Sequence, residues 1–170
     1  MSVVKVINKS YIENDAFVNL MNYGDKKDKC ELICSFGTLE NKSGGLRGMD
    51  FIRQLYEKEL GSKACHIVVS IYREVPVMDK KAFQNVLMQN VRCARLIGLE
   101  LGKIIYSKGF QNKVFMHEDT GKVHLHIIIN SVNFMTGYML DNRFGLGQEL
   151  TMYLYRNYGF LQWEKTMLGE

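Results

Sequence analysis

The chain has 170 residues, of which 46% are hydrophobic and 24% charged; these are the proportions of a globular protein long enough to bury one sizeable core. No apolar run approaches the roughly 20 residues of a membrane span, and Lys5, Lys9, Glu13 and Asp15 interrupt the first apolar positions. Neither a secretion signal nor membrane insertion is therefore expected, and the expected location is the bacterial cytoplasm. A net charge of +4 and a pI near 8.8 permit a nucleic acid partner without requiring one. Cys30, Cys34, Cys65 and Cys93 follow no zinc-ligand spacing and read as reduced thiols.

In chain order, Val3 to Ile7 reads as a first strand. Asn14 or Asp15 caps a short helix over Ala16 to Tyr23, with Phe17, Leu20 and Met21 on one face. A polar stretch follows, charged over Asp25 to Lys29 and glycine-rich over Lys42 to Gly48, before a helix from Met49 to Leu60. The β-branched run Cys65 to Tyr72 reads as a central strand. Asp79 opens a long helix reaching about Gly98. Strands over Lys113 to Glu118 and Lys122 to Asn133 are joined by an Asp119-Thr120-Gly121 turn. A short hairpin at Thr136-Gly137 and a helix over Gly147 to Asn157 complete the order. With one proline and no Ser/Gly linker, the expectation is a single domain over 1–170: an α/β fold with a mostly antiparallel sheet and helices on one face.

Three of the four histidines fall within ten residues, in HEDTGKVHLHIIIN, 117–130. Alternate strand side chains share a face, so His124, His126, Ile128 and Asn130 line one side and Val123, Leu125, Ile127 and Ile129 the other. The turn folds His117 back alongside. A core accounts for one histidine but poorly for three so placed, and three neutral imidazoles suit a divalent cation with open positions. Such a metal keeps its full charge and polarises a phosphoryl oxygen or activates a water. Asp119 reads either as a partner for a ligand's ring N–H or as a turn-forming residue. Asn130 reads as a satisfied strand polar group. His66, alone at the head of its strand, reads as a packing residue whose loss leaves metal binding intact. Tyr23 ends a helix and precedes Gly24-Asp25-Lys26-Lys27-Asp28-Lys29, an aromatic hydroxyl beside basic backbone suited to meeting a phosphodiester.

The segment HEDTGKVHLHIIINSVNFMTG closely resembles the histidine motif of conjugative relaxases, the HUH-type nicking endonucleases, and within them the P-type (MobA-like) mobilisation family. His117, Asp119, His124, His126, Asn130, Ser131 and Val132 fill the motif's places. CHIVVSIYREVPVMDKKAF resembles the family's second conserved strand, with Glu74 at its conserved Glu, and NLMNYGDKKDK resembles the first motif, with Tyr23 as the nucleophile. The Asn-Pro and Lys-Thr that usually follow the tyrosine are missing, so Tyr11 stays open as an alternative.

The resemblance implies a two-layer α/β sandwich and a metal-dependent, strand-specific DNA endonuclease and transesterase. Tyr23 would form a 5′-phosphotyrosyl intermediate at origin-of-transfer DNA, with Asp119 and Glu74 in the catalytic set. His117, His124 and His126 would hold the metal, Mn2+ or Mg2+ for turnover, with Zn2+, Ni2+ or Co2+ also suited to imidazole. Lys26, Lys27, Lys29, Lys42 and Arg47 are candidate phosphate contacts. The implied partners are single-stranded or hairpin origin DNA, accessory mobilisation proteins and a coupling protein, and the chain is expected to be the N-terminal part of a longer protein. A rolling-circle initiator or transposase of the same superfamily would share this chemistry; a three-histidine metallohydrolase would share only the metal site.

Overall fold

The computed structural model describes residues 2–13, 15–25, 30–72, 80–119, 122–159 and 167–169. Six strands, β1 (Val3–Ile7), β2 (Cys30–Phe36), β3 (Ala64–Ile71), β4 (Asn112–Asp119), β5 (Lys122–Asn130) and β6 (Met167–Gly169), form one sheet in the order β2-β4-β5-β3-β1-β6. Five pair antiparallel, and β6 joins the edge parallel to β1. Four helices pack on this sheet: α1 (Ala16–Asp25), α2 (Lys42–Leu55), α3 (Lys80–Ser107) and α4 (Arg143–Asn157). The α/β class and the mostly antiparallel sheet are those expected from the element order, but the helices, expected on one face, lie on both.

The period-2 alternation of β5 decides what each face carries. Val123, Leu125, Ile127 and Ile129 are fully buried with Ile67, Val69, Val4 and Val6 under α3 and α4, which contribute Ala94, Ile97, Leu101, Leu150 and Leu154. A smaller core fills part of the opposite face, where Phe17, Leu20 and Met21 of α1 and Met49 of α2 cover Phe115, Ile128 and Ala64. Helices on one face alone would leave Phe115 and Ile128 in water. α1 and α2 remove them from it, and in doing so they lie on the same face as the histidines.

Three element boundaries differ from the expectation. β2 was read only as flanking polar chain, yet its Leu32 packs with Phe115. A register shift between Leu32 and Cys34 turns both Ile33 and Cys34 toward the α3 core, as a bulge does by presenting two consecutive residues to one partner position. α2 begins seven residues before Met49 at Lys42, with Asn41 capping it through a 2.7 Å bond accepted from the Gly44 N–H. It stops at Leu55, where Glu57 adopts φ 54°. α3 runs through Gly98 and Gly102 to Ser107. These two glycines are where the helix touches the sheet. A Cβ on Gly102 would sit 2.9 Å from Cys34 Sγ and 2.9 Å from the Phe36 ring; one on Gly98 would sit 3.2 Å from Val114.

Gly102→Val is therefore expected to overpack the α3–β2 contact and cost about 1–3 kcal/mol. The checking measurement is urea unfolding, with a lowered midpoint and an unchanged slope.

The Asn130-Ser131 end of β5 is a structural junction. The Asn130 side-chain amide donates to the Met49 carbonyl (3.0 Å) and to Gln111 Oε1 (2.8 Å), and its oxygen accepts from Val132 N–H (3.3 Å). Ser131 accepts from the buried Arg53 guanidinium and donates to the Ser62 carbonyl. Asn130 is thus a satisfied strand polar group that ties α2 to the sheet. Buried Lys113 does similar work, donating to the carbonyls of Glu40 (2.7 Å) and Asn41 (3.3 Å) just ahead of α2. Past the junction, Gly137 turns a short hairpin at φ 73°, with Val132 bridged to Met139. The tyrosines near the end of α4 divide between packing and exposure. Tyr153 and Tyr158 pack, donating to Glu100, whereas Tyr155 is 63% exposed on the outer face of α4.

Candidate active site

The β4–β5 register sets His117 directly opposite His124, and Phe115 opposite His126. Directly opposed residues share a face, so the three histidines stand together on the side away from the main core. Their rings meet: the His117 and His126 centroids are 4.5 Å apart. His117 is 2% exposed and His126 8%, while His124 is half-buried nearer the strand end.

From the other side, β3 contributes two partners. Ser70 lies opposite His124, with its Oγ 2.9 Å from His124 Nδ1. His66 lies opposite Ile128, diagonal to His126, and its Nε2 is 3.1 Å from His126 Nδ1. The remaining His66 nitrogen, Nδ1, is 3.2 Å from the Tyr11 hydroxyl. His66 is buried, as a packing residue would be, but packing does not account for these two contacts. His66 is the member of the site that the local sequence missed. The only available signal was long-range: the pairing of β3 with β5 brings residue 66 beside residue 126.

Burial, followed by the nearby charge of His117, lowers the His66 imidazole from 6.5 to about 4. Between those values the unfolded chain binds a proton that the folded one refuses, so stability falls as pH drops from about 6.5 to about 4 and does not fall further below that. The expected loss is on the order of 3 kcal/mol. Denaturant midpoints of the chelator-treated domain at pH 7 and pH 4.5 check it.

Two open clefts flank the histidine row. One, of about 220 Å3, lies against His66 and Tyr11 and is walled by Lys9, Glu13, Asn19 and Leu20; the other, of about 280 Å3, is formed by Ser70, Tyr72, Lys122 and His124. Tyr23 stands in the last turn of α1, and Asp119 ends β4 opposite Lys122. The side chains of Tyr23, Asp119 and Lys42 lie outside the described set, as do Lys26, Lys27, Lys29 and Glu74 altogether. Arg47 is exposed on α2 in a groove shared with Gly37, Thr38, Leu39 and Phe51, which contains none of the histidines. Tyr11, the alternative nucleophile, is buried and bonded to His66. Burial raises its pKa, with Cys65 adding to the rise and Arg143 opposing it, so its phenolate is harder to form than that of an ordinary tyrosine.

The nuclease domain model of the MobA/VirD2-like relaxases matches residues 11–156, from Tyr11 through the end of α4. The chain belongs to that family. Two relatives named Protein rlx, both from Staphylococcus aureus, are similar to it. One is 39% identical over 85 residues, covering 50% of this chain and 22% of the relative; the other is 27% identical over 124 residues, covering 72% and 32%. The chain thus spans at most about a third of the relatives it matches. No solved structure matches it. The relaxase domain carries the whole histidine row and its β3 partners inside the matched segment. Among its described residues, no helix is long and apolar enough to cross a membrane.

The donor chemistry of the row fits a divalent cation. Two of its imidazoles meet β3 through Nδ1, and a neutral imidazole held at one nitrogen by a neighbour ligates an ion through the other. Among the described residues no three His, Cys, Asp or Glu side chains already converge on one point at ligand distance.

Proposed function

We propose that this relaxase domain nicks one strand of origin-of-transfer DNA through a tyrosine nucleophile, with His117, His124 and His126 holding a divalent metal, to begin mobilisation of a plasmid or integrative element. The observation that carries this reading is the assembly of the three histidines on one sheet face, with two of them held through Nδ1 by β3. When bound, the metal supplies positive charge to the non-bridging phosphate oxygens and makes phosphorus more electrophilic. Mn2+ or Mg2+ suits turnover.

Tyr23 is the nucleophile in this reading. Its phenolic oxygen forms a bond to phosphorus while the bond from phosphorus to the 3′ oxygen breaks. The phenolic proton leaves Tyr23 and the departing 3′ oxygen takes up a proton, giving a 5′-phosphotyrosyl enzyme and a free 3′-hydroxyl. The ester conserves the energy of the cut, so the reverse attack rejoins the strand. Chain geometry supports Tyr23. Asp25, at the end of α1, and Cys30, at the start of β2, are five peptide steps apart, a span of at most about 18 Å, and Cys30 lies directly opposite His117. The end of α1 thus lies within about 18 Å of the strand position that faces His117. Lys26, Lys27, Lys29 and Lys42 are the phosphate contacts in this reading, together with Arg47, which is exposed on α2. Asp119 and Glu74 complete the catalytic set in this reading. Accessory mobilisation proteins and a coupling protein complete the assembly in the cytoplasm.

The test is binding and nicking of oligonucleotides from the element's own intergenic DNA. The domain should prefer single-stranded or hairpin-tailed DNA over a blunt duplex and should bind even with the metal chelated. If about four phosphates are contacted, raising salt from about 50 to 200 mM should weaken binding roughly 50-fold. Equal affinity for an unrelated blunt duplex would refute the reading.

A further inference from the structure

We infer that His66, backed by Tyr11, is a positioning residue that fixes the ring orientation and tautomer of His126 for metal binding. This inference rests on the three-histidine reading above. To offer its Nε2 lone pair to an ion, His126 must carry its proton on Nδ1, and that nitrogen lies 3.1 Å from His66 Nε2. His66 must then accept at Nε2 and keep its own proton on Nδ1, where the Tyr11 oxygen, 3.2 Å away, receives it. In the opposite arrangement His66 donates from Nε2, which drives the His126 proton onto Nε2 and blocks the ion.

The relay is built on fixed backbone. Tyr11 N–H donates to Ser62 Oγ (3.2 Å), and the Tyr11 carbonyl accepts from Lys63 N–H (2.7 Å), so both ends of the residue are pinned to the chain entering β3. Its ring is packed with Phe17, Leu20 and Ile128. His66 is held by the β3–β5 ladder opposite Ile128. His126 therefore meets a partner whose position is set by two strands and a core. Ser70 serves His124 from the same strand at 2.9 Å, so β3 is the strip that orients both β5 histidines. A carboxylate is the usual outer partner of a metal-bound histidine. For His126 the partner is instead a neutral imidazole, which brings no negative charge to that ligand.

The test compares Mn2+ affinity, read from the free-ion electron paramagnetic resonance signal, among wild type, His66→Phe, His66→Gln and His126→Ala. His66→Phe fills the space without an acceptor and should weaken binding roughly 10–100-fold, as loss of an outer partner does. His66→Gln keeps an acceptor oxygen and should restore most of it. Wild-type affinity in His66→Phe, or equal losses in Phe and Gln, overturns the inference and spares the metal site. Unchanged affinity in His126→Ala overturns the three-histidine reading and this inference with it. A second measurement needs no variant: nitrogen-15 spectra of the Zn2+-loaded domain should show His66 neutral with its proton on Nδ1. A proton on His66 Nε2 overturns the inference.

Discussion

His126→Ala is expected to lower divalent metal affinity by more than about 100-fold, beyond the 10–100-fold typical of losing an outer partner, and to abolish nicking. His126 is the hub of the row: its ring lies 4.5 Å from that of His117, and its Nδ1 meets His66. The substitution removes a donor and leaves His66 Nε2 without the contact it makes there. A surface site would allow this change at no cost to the fold. His126 is only 8% exposed, however, so the alanine also leaves a void, and a destabilisation of about 1–3 kcal/mol is expected. Metal titration must be read beside a melting curve. His124→Ala is the gentler partner experiment, because His124 is half-buried and less packing is lost. Both variants should show the metal loss, and only His126→Ala should show the larger drop in stability.

Tyr23→Phe is expected to reduce cleavage by at least about 10^3-fold, since removal of the attacking group in covalent enzymes costs up to about 10^6. The change deletes one oxygen and keeps the ring. Folding, metal binding and DNA affinity should therefore hold near wild type, separating chemistry from docking. Tyr11→Phe is the contrast. Its hydroxyl is spent on His66 within the buried layer under α1, so this variant should bind the metal more weakly yet, with metal in excess, still cleave and still yield an adduct.

How much of this was legible in the sequence depended on how local the cause was. The β4–β5 pairing was plain because its alternation and its histidines fit within fourteen residues, while Thr120 and Gly121 of the expected turn lie outside the described residues. The first strand was legible for the same reason. α2 was half hidden because Gly44, Gly45 and Gly48 each cost a helix about 1 kcal/mol relative to alanine. The structure shows what two of them permit: Gly45 leaves room for the buried Lys113 ammonium, and Gly48 for Thr38. α3 appeared to stop at Gly98 for a related reason, since a residue that ends helices in isolation also lets one lie close on a sheet. In the site, the histidines on adjacent strands were readable and His66 was not. Its role depends on a strand pairing sixty residues away, which no local pattern encodes. The positions of α1 and α2 on the histidine face were likewise set by what Phe115 and Ile128 needed to bury, a tertiary requirement.

The most direct test of the account is to incubate the metal-loaded domain with single-stranded origin-of-transfer oligonucleotide, digest the product, and map the peptide that carries DNA. The account predicts a 5′-phosphotyrosyl adduct on the peptide containing Asn22-Tyr23-Gly24, absent from Tyr23→Phe. An adduct on Tyr11 would reassign the nucleophile and keep the chemistry. Cleaved DNA bearing a free 5′-phosphate, with no protein attached and undiminished in Tyr23→Phe, would contradict the account and point to water as the nucleophile.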